Sequence, residues 1–322
     1  MRILVTGCTG FAGGYLVEEL AAAKSHAIFG ISRRPDRAAE SGPLAGKLAQ
    51  LRRCDLAGRS AIEAVLRDVK PERIFHLAGY PHVGRSFQEA DAAWEANLTA
   101  TRNLYEAILH WGGKPRILQV SSGLVYGQPE ADDPLIDEQE PLRPDSPYAA
   151  SKAAADLVGF QYARSAELAI VRVRAFNHIG PRQSPEFAVP HFARQIAAIE
   201  HGRQPPLLET GDLSPRRDLT DVRDMVHAYV LLMERGEAGE VYNVGTGEAR
   251  SMQAVLDRLL SMAKVRVEVR QDASLLRAKE TAALRANAAK LRAATGWSPR
   301  FTLDETLRDI LEYWRANVPA SS

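Results

Sequence analysis

The sequence predicts an α/β fold: a doubly wound parallel sheet followed by a smaller, mixed α/β C-terminal lobe. Short apolar runs alternate with helix-length segments over the first half of the chain, and proline and glycine interrupt the pattern often after Ala175. Strands that are separated by helix-length segments imply βαβ crossovers, which build a parallel sheet covered by helices on both faces. We therefore predict a sheet unit over 1–175 and about 217–246, and a lobe over 176–216 and about 247–322.

Six apolar runs of five to seven residues are the predicted strands of this sheet. In chain order they cover residues 2–6, 26–31, 48–54, 73–77, 116–121 and 168–174. A helix is expected over 15–24, between the first two strands. Further on, Val265-Arg-Val-Glu-Val269 alternates apolar and charged residues, which predicts a half-buried strand in the C-terminal part.

The chain is expected to finish with an amphipathic helix. Thr302 and Glu305 have the spacing of a capping box, in which each side chain bonds the backbone N–H of the other residue. The residues that share the apolar side of this helix are Leu303, Leu307, Ile310, Leu311 and Trp314.

Composition and charge exclude several functional classes. The 322 residues carry 41 lysines and arginines against 40 aspartates and glutamates, so the chain as a whole has no attraction for a polyanion. No run approaches the ~18 apolar residues of a membrane span, and the first apolar run is too short for a signal peptide. Cys8 and Cys54, the two cysteines, form neither a metal-site pattern nor a disulfide framework. We expect a cytoplasmic protein that binds no nucleic acid, no membrane and no metal.

A glycine-rich turn follows the first strand and opens the first helix. Its three glycines stand at three-residue intervals. Glycine lets the backbone approach a pyrophosphate closely, and a helix N-terminus offers free N–H groups and the positive end of the helix dipole. The turn therefore predicts a Rossmann-type dinucleotide site, although a plain strand-to-helix turn would also use glycine. The residues expected to line the site are Gly7, Thr9, Gly10, Phe11, Ala12 and Gly13.

The end of the second strand indicates which dinucleotide is bound. Proteins that choose NAD usually place a carboxylate there to accept from the ribose 2′-hydroxyl, whereas this chain has Ser32, Arg33 and Arg34. A guanidinium matches a 2′-phosphate, so we predict NADP(H), with a solvated basic loop as the alternative. After the third strand, Asp55 and its neighbour Leu56 are expected near the adenine, unless Asp55 is a simple turn carboxylate.

Tyr148 and Lys152 stand four residues apart, which places a phenol and an ammonium on one face of a helix. An ammonium beside a phenol favours the phenolate and lowers a pKa that starts near ~10. Such a tyrosine exchanges protons with a sugar hydroxyl or a ketone near neutral pH. Ser122, at the end of an apolar run, supplies a hydroxyl that orients the same oxygen. The three residues predict a redox enzyme that acts on a carbonyl.

Several motifs, in this order along the chain, resemble the extended short-chain dehydrogenase/reductase family. They are the glycine turn, His76-Leu-Ala-Gly79, Asn97, Ser122 with Val125-Tyr126-Gly127, and the Tyr148/Lys152 pair. A second group of motifs resembles the nucleotide-sugar branch of that family. It comprises Arg174-Ala-Phe-Asn177-His178-Ile-Gly-Pro181, Arg217-Asp-Leu-Thr-Asp221-Val-Arg-Asp224, Val241-Tyr-Asn-Val244 and Gly296-Trp-Ser-Pro299. The resemblance spans nearly the whole chain, and from Phe176 onward it is nearest to the GDP-6-deoxy-D-mannose reductases.

The resemblance implies further binding residues. On the cofactor side they are Leu77, Ala78, Gly79 and Asn97, of which Asn97 is also implied in the proton path. On the substrate side they include Val83, Ser86 and Ser122. The residues implied around the diphosphate are Asn177, Arg194, Arg217 and Arg277. Phe187 and Val189 are implied at the base, and Glu280 at the nucleotide ribose. Ala278 stands where the family usually has proline, next to the implied Glu280 contact. The alternative for Arg194 and Arg277 is that they are exposed helix charges. The sheet unit is thus expected to bind NADP and the lobe to bind the nucleotide sugar.

The position two residues before Tyr126 bears on the reaction. Dehydratases of this branch carry a carboxylate there, which moves protons while water leaves the sugar, but here Leu124 fills the position and no acid adjoins it. The resemblance and Leu124 together imply that NADPH reduces the C4 ketone of GDP-4-keto-6-deoxy-D-mannose to give GDP-D-rhamnose. The alternatives are a 4-epimerase that keeps NAD bound, a GDP-mannose 4,6-dehydratase, which Leu124 disfavours, and a non-catalytic nucleotide sensor.

Two helical stretches, Ala92–His110 and Pro147–Ser165, indicate how the chain assembles. They carry apolar residues on more sides than one sheet face can cover, namely Trp94, Leu98, Leu104, Ile108, Leu157, Phe160 and Tyr162. In the family the equivalent helices pair across a two-fold axis, so a homodimer with a four-helix bundle is expected. The alternative is that the C-terminal lobe covers these helices.

Overall fold

The computed structural model describes residues 1–33, 35, 44–128, 134–275 and 284–318. Its strands are β1 (Arg2–Thr6), β2 (Ala27–Ser32), β3 (Gln50–Arg53), β4 (Arg73–His76), β5 (Arg116–Ser122), β6 (Leu135–Ile136), β7 (Ile170–Ala175), β8 (His178–Ile179), β9 (Leu207–Thr210), β10 (Arg216–Asp218), β11 (Thr220–Asp221), β12 (Val241–Val244), β13 (Ala249–Ser251), β14 (Glu268–Gln271) and β15 (Arg285–Ala286). Its α-helices are α1 (Phe11–Ala22), α2 (Arg59–Val69), α3 (Ala90–Trp94), α4 (Ala100–Trp111), α5 (Pro147–Ser165), α6 (Ala188–Glu200), α7 (Val222–Arg235), α8 (Met252–Ser261), α9 (Ala289–Thr295) and α10 (Leu303–Ala316). A π-helix over Glu95–Thr99 joins α3 to α4, and short 3₁₀ turns cover Gly84–Phe87, Gly123–Tyr126 and Ala273–Leu275.

Seven parallel strands form the main sheet, in the order β12-β7-β5-β4-β1-β2-β3. The predicted Rossmann-type fold is confirmed, and the six predicted strands lie within two residues of their expected bounds. The seventh, β12, was not predicted as a strand. It has four residues, all buried, and Asn243 interrupts its apolar run, so neither length nor periodicity marks it in the sequence.

The chain winds outward from the middle of the sheet in both directions. From β1 it passes to β2 and β3, and it then returns to β4 and continues through β5 and β7 to β12. The ends of β1 and β4 meet where the winding reverses, which is where open α/β sheets bind ligands. The N–H of Leu77 donates to the carbonyl oxygen of Thr6 at 3.3 Å, and the N–H of Ala78 donates to Thr6 Oγ1 at 3.1 Å.

Helices cover both faces of this sheet. One cluster of buried apolar residues lies beneath α1, α7 and α9 and includes Leu16, Tyr229 and Leu291. A second cluster lies on the opposite face, beneath α2, α4 and α5, and includes Leu66 and Leu104. A third cluster joins α6, α8 and α10 and forms the core of the smaller lobe.

The two predictions for the C-terminal lobe had different outcomes. The capping box is confirmed, since Thr302 Oγ1 accepts from the Glu305 N–H at 3.2 Å and the Glu305 carboxylate accepts from the Thr302 N–H at 2.8 Å. The half-buried strand over 265–269 is wrong: β14 begins at Glu268 and its residues are exposed. β14 is half of a two-stranded pair with β9, and a pair of strands cannot bury a face as a covered sheet does.

The apolar residues of the two outer helical stretches are buried, half-buried or exposed, and Leu98 is the half-buried one. Those that pack inside, in the cluster beneath α2, α4 and α5, are Leu104, Ile108 and Tyr162. Those that stay exposed are Trp94, Leu157 and Phe160. The sequence pattern overestimated the outer apolar surface because α2 lies over α4, which buries a second side of that helix.

Candidate active site

The glycine turn closes tightly against the end of β4. It is held by a hydrogen bond from the Gly10 N–H to the Gly7 carbonyl oxygen at 3.0 Å. Gly7 has φ +70°, and a Cβ there would lie 2.8 Å from the Ala78 nitrogen, while a Cβ on Gly13 would lie 2.1 Å from the Gly7 oxygen. α1 begins directly after the turn, earlier than predicted, and its first residues are Phe11, Ala12 and Gly13. Because the first N–H groups of a helix have no partner within it, the turn presents donors suited to a pyrophosphate.

The end of β2 is hydrogen-bonded to the glycine turn. Thr9 Oγ1 lies 3.0 Å from Ser32 Oγ, so the two predicted cofactor residues are adjacent. Arg33 follows Ser32 and is exposed, which leaves its guanidinium accessible to a ligand at the turn. Arg34 lies outside the described residues.

The two candidates after β3 have local partners. The Asp55 carboxylate accepts from the Ala57 N–H at 3.0 Å, which is the bonding of a turn carboxylate. Leu56 is buried in the apolar cluster beneath α2. Contacts of these residues with an adenine stay a prediction.

Tyr148 and Lys152 lie on one face of α5, opposite the end of β5. Ser146 caps the N-terminus of α5, which places Tyr148 in the first turn of the helix. The Tyr148 hydroxyl hydrogen-bonds the side chain of Ser122. Lys152 Nζ donates to the carbonyl oxygen of Val120 at 2.8 Å, so its ammonium is held against β5. The structure thus brings together the three residues that the sequence singled out as catalytic.

Burial determines the protonation of these groups. It raises the pKa of Tyr148, and the hydrogen bond with Ser122 offsets only part of that effect. It lowers the pKa of Lys152 to about 8, while the charge of Asp156 acts in the opposite direction. The expectation that Lys152 lowers the pKa of Tyr148 is wrong for this structure, because desolvation of the phenolate dominates. Tyr148 therefore keeps its proton at neutral pH.

Asn97 lies in the π-helix between α3 and α4 and is buried. Its Nδ2 donates to Ser151 Oγ at 2.9 Å, and its Oδ1 accepts from the Tyr80 N–H at 2.9 Å. Gly79 approaches so closely that a Cβ there would lie 2.6 Å from Asn97 Oδ1 and 3.6 Å from Lys152 Nζ. Asn97 therefore joins the loop after β4 to α5, close to the lysine.

The loop after β4 also contacts the candidate catalytic tyrosine. Ser86 Oγ accepts from the backbone N–H of Tyr148 at 3.1 Å and donates to the Val83 carbonyl oxygen at 2.6 Å. Ser86 is buried, so this bonding fixes the loop against the first turn of α5. Of the two predicted substrate residues of this loop, Ser86 is thus bonded to the backbone of Tyr148 and Val83 to Ser86.

The same loop reaches across to the N-terminus of α6. The His82 ring stacks on Phe187 with 5.6 Å between centroids and lies 3.4 Å from the Glu186 carboxylate, which also pairs with Arg85. No local pattern predicts this contact, because it joins residues about a hundred positions apart. Val189 is buried in the core of the lobe, so its backbone is the part that could meet a base.

The remaining substrate candidates lie on separate elements. Asn177 is exposed between β7 and β8, Arg194 is half-buried in α6, and Arg217 lies in β10. Their grouping around a diphosphate stays a prediction. Arg277 and Glu280 lie outside the described residues.

Leu124 occupies the position where the dehydratases carry an acid. It lies in the 3₁₀ turn over Gly123–Tyr126, and its N–H donates to Ser122 Oγ at 3.2 Å. The side chain is half-buried and packs against an apolar cluster that includes Phe176. This position therefore offers a ligand an apolar surface and no proton.

A buried ionic cluster that was not predicted from the sequence lies behind the site. It is formed by Asp156, Arg172 and Arg174 and is called here the Asp156 cluster. Asp156 lies one turn after Lys152 in α5 and pairs with both arginines of β7. A signal was available, since two arginines two residues apart in a strand share one face. Charges in an otherwise apolar strand of a parallel sheet require a buried partner.

Both cysteines are buried and have no disulfide partner. Cys8, inside the glycine turn, donates from Sγ to the Ile31 carbonyl oxygen at 3.6 Å, and burial raises its pKa to about 11. Across the described ranges, no group of three His, Cys, Asp or Glu side chains could hold a metal ion. Among the helices of the described residues, none has the length and apolar character that crossing a membrane requires.

This chain is similar to the same group of nucleotide-sugar enzymes in its sequence and in its structure. The family model for GDP-mannose 4,6 dehydratase matches residues 4–310. The chain is 35% identical over 318 residues to the GDP-6-deoxy-D-mannose reductase of Pseudomonas aeruginosa, and the match covers 98% of each chain. The structure of RMD from Pseudomonas aeruginosa complexed with NADPH matches with a TM-score of 0.86 and 35% identity, over 98% of this chain and 99% of that one. The UDP-glucose 4-epimerase of Thermus thermophilus in complex with NAD matches with a TM-score of 0.85 and 30% identity, over 99% and 100% of the chains.

Proposed function

We infer that this chain, which belongs to the GDP-mannose 4,6 dehydratase family within the nucleotide-sugar branch of the extended short-chain dehydrogenases/reductases, is a nucleotide-sugar 4-ketoreductase. The proposed reaction is the NADPH-dependent reduction of the C4 ketone of GDP-4-keto-6-deoxy-D-mannose to GDP-D-rhamnose. Similarity to the Pseudomonas aeruginosa reductase along 98% of the chain supports this substrate class.

The proposal depends on two features of the site. Tyr148 holds a proton, and Leu124 leaves the position where the dehydratases carry an acid without an acid–base group. Ketone reduction consumes one hydride and one proton, and Tyr148 retains its proton because burial raises its pKa. Ser122, which bonds the same hydroxyl, can donate to the carbonyl oxygen as negative charge develops there. Dehydration would also need a group that takes the C5 proton and protonates the departing C6 hydroxyl. Leu124 can do neither.

The residues present fit a nicotinamide dinucleotide. A Cβ on Gly7 would meet the Ala78 backbone and a Cβ on Gly13 would meet the Gly7 oxygen, so glycine lets the turn pack against the N-terminus of α1. The free N–H groups of that N-terminus suit a pyrophosphate. Lys152 lies beside Gly79 and Asn97, where its ammonium can bind ribose hydroxyls. NADPH bound there would supply the hydride. In this proposal the sheet unit holds the dinucleotide and the smaller lobe holds the nucleotide sugar.

The test gives the purified protein two substrates in parallel. With the GDP-linked 4-keto-6-deoxyhexose and NADPH, we expect stoichiometric NADPH oxidation and a product whose mass has risen by one H₂. With GDP-mannose and NADP⁺, we expect no loss of water, since a missing general acid–base typically costs ~100- to 10,000-fold. Loss of water from GDP-mannose at a rate comparable to ketone reduction would contradict the assignment. The UDP-linked and dTDP-linked ketones, as matched substrates, would show whether guanine is preferred.

The similarity to the Thermus thermophilus enzyme favours a second candidate, a 4-epimerase. An epimerase would use the same Ser122, Tyr148 and Lys152 but would return the hydride to the opposite face of the sugar. It would therefore interconvert two nucleotide sugars with no net consumption of cofactor. Incubation with UDP-glucose and UDP-galactose distinguishes the two functions.

Arg33→Ala is expected to remove most of the preference for NADPH over NADH. The unsubstituted protein should bind NADPH more tightly, because Ser32 stands where NAD-binding proteins carry a carboxylate and exposed Arg33 can pair with a 2′-phosphate. Fluorescence titration with the two cofactors measures both dissociation constants. Arg67→Ala, which removes an exposed guanidinium from α2, is the control and should change neither. Equal affinities of the unsubstituted protein for NADPH and NADH would rule out this role of Arg33.

We further propose a homodimer that forms through α5 and the helices over 90–111. Trp94, Leu157 and Phe160 are 38%, 55% and 45% exposed, which is unusual for large apolar side chains in one region. Light scattering at micromolar concentration should give twice the monomer mass, and a Leu157→Glu/Phe160→Glu variant should give the monomer mass with its fold intact. A monomer mass for the unsubstituted chain would exclude this assembly.

A further inference from the structure

The Asp156 cluster lies between the helix that carries Tyr148 and Lys152 and the strand next to β5. The Asp156 carboxylate accepts from Arg172 Nη1 at 2.7 Å and from Arg174 Nε and Nη2 at 3.2 Å each. Asp156 is 0% exposed and each arginine is 5% exposed. Two guanidinium groups and one carboxylate leave a net positive charge buried behind the site. Such an arrangement is costly, and an apolar contact between α5 and β7 would avoid the cost.

Asp156 faces Lys152 along α5, because residues four apart share a helix face. Burial lowers the pKa of Lys152 to about 8, and the negative charge of Asp156 opposes that shift. The other ionisable side chains that face Lys152 within the described structure are Tyr148, which keeps its proton, and His76 at the end of β4. Burial lowers the pKa of His76 to about 3, so this ring is neutral. Asp156 is therefore the negative group that favours the ammonium form of Lys152.

Arg174 connects the same carboxylate to the turn after Ser122. Its Nη1 donates to the Tyr126 hydroxyl at 2.9 Å, and its guanidinium carbon lies 5.0 Å from the centroid of the Tyr126 ring. Tyr126 is the last residue of the 3₁₀ turn that Ser122 caps, and it is buried. The Tyr126 hydroxyl donates in turn to Asn243 Oδ1 in β12 at 2.8 Å. The turn that carries Ser122 is thus bonded, through one guanidinium, to the helix opposite it.

Arg172 shares the carboxylate but has different neighbours. Its Nη2 donates to the Gly239 carbonyl oxygen at 3.1 Å, and its guanidinium carbon lies 5.1 Å from the Phe160 ring centroid. Both arginines are equally buried and pair with the same aspartate, yet these contacts of Arg172 lead away from the turn after Ser122. The two residues form a matched pair for separating catalytic positioning from stability.

We propose that Asp156 is a positioning residue which, through Arg174 and Tyr126, fixes the turn that carries Ser122 against the helix that carries Tyr148 and Lys152. Asp156 contacts neither substrate nor cofactor in this scheme. Its bonds set the separation of side chains that come from two different elements, and its charge keeps Lys152 cationic. The effect on turnover rests on the proposed reductase function, whereas the effect on Lys152 does not.

The first test measures the Lys152 pKa by NMR on lysine-labelled protein without added ligand. Asp156→Asn is expected to lower this pKa, since the carboxylate charge is lost while the two guanidinium charges remain. The control is Asp224→Asn in α7, because Asp224 is also 0% exposed and pairs with Arg300 at 3.0 Å. It should lower thermal stability and leave the Lys152 titration unchanged. An Asp156→Asn protein with an unchanged Lys152 pKa would overturn the proposal.

The second test compares Arg174→Gln with Arg172→Gln in the ketone-reduction assay. Each substitution removes one guanidinium from Asp156, so both should lower thermal stability, and Arg174→Gln should lower it more because Arg174 makes two of the three bonds to Asp156. Arg174→Gln is expected to lower kcat roughly 10- to 100-fold, with little change in KM for NADPH, because misplacing a reacting group by ~1 Å can cost ~100-fold. Arg172→Gln should keep kcat within about threefold of the unsubstituted enzyme, since its contacts do not reach the turn.

The outcomes separate the positioning role from the reaction itself. Equal losses of kcat in Arg174→Gln and Arg172→Gln, in an otherwise active enzyme, would mean that the cluster only stabilises the fold and would overturn the proposal. Failure of the unsubstituted protein to reduce the ketone would contradict the proposed function instead. In that case the Lys152 titration in Asp156→Asn still decides whether Asp156 acts on the lysine.

Discussion

Tyr148→Phe is expected to reduce kcat for ketone reduction at least ~100-fold while NADPH binds normally. Burial raises the pKa of this phenol, so at neutral pH it holds the proton that the developing alkoxide must receive. Phenylalanine keeps the ring and its packing but removes that proton and the hydrogen bond with Ser122. Steady-state turnover with the ketone measures the loss, and fluorescence titration with NADPH shows whether the cofactor site is intact.

Tyr105→Phe is the matched control for this substitution. Tyr105 is also a buried tyrosine, but its hydroxyl donates to Gln119 Oε1 at 2.8 Å within the core rather than to a catalytic side chain. Its loss should cost about 1 kcal/mol of stability and leave kcat unchanged. Near-normal turnover in Tyr148→Phe would mean that another group supplies the proton, and the assignment of the site would have to be revised.

Gly13→Ala is expected to disrupt the cofactor site and destabilise the fold, whereas Gly14→Ala, one residue later in the same helix, is expected to stabilise it. A Cβ on Gly13 would lie 2.1 Å from the Gly7 oxygen, so the turn and the helix must separate, while a Cβ on Gly14 meets no atom within 4 Å. Forced overpacking typically costs about 1–3 kcal/mol. Replacing a glycine inside a helix with alanine typically contributes about 0.5–1 kcal/mol.

Urea denaturation with and without NADPH measures both effects. Gly14→Ala should unfold at a higher urea concentration and bind NADPH as the unsubstituted protein does. Gly13→Ala should unfold at a lower concentration and lose most of the stabilisation that NADPH gives, because the ligand stabilises the fold only by binding to it. Equal NADPH affinity in the two variants would show that the close contact between Gly13 and Gly7 is not needed for the cofactor.

The features of the fold that could be predicted are those that a short stretch of sequence encodes. β1 is an apolar run that ends at a glycine, and the cap of α10 depends on Thr302 and Glu305, three residues apart. β12 could not be recognised from its own four residues, because what makes it a strand is its place beside β7. The exposure of β14 likewise follows from its place in a two-stranded sheet with β9, which its own four residues do not encode.

Local residue spacing also failed to predict the electrostatics of the site. The spacing of Tyr148 and Lys152 correctly placed both residues on one face of α5, yet it suggested a lowered tyrosine pKa, and burial reverses that shift. The two arginines of β7 indicated a buried acid, but Asp156 could be identified as that acid only once α5 was known to pack on β7. Long-range neighbours and the degree of desolvation are properties of the folded chain, so local spacing cannot supply them.

The buried thiol of Cys8 makes the glycine turn observable by simple chemistry. Its side chain is 0% exposed and its pKa is raised to about 11, so in the closed turn it is neither accessible nor ionised at neutral pH. An alkylating reagent can therefore react with it only during transient local opening, and the labelling rate measures the free energy of that opening, as amide hydrogen exchange does. In a Cys54→Ser background the reaction would report on this one turn, and a dinucleotide that holds the turn closed would slow it in proportion to its occupancy.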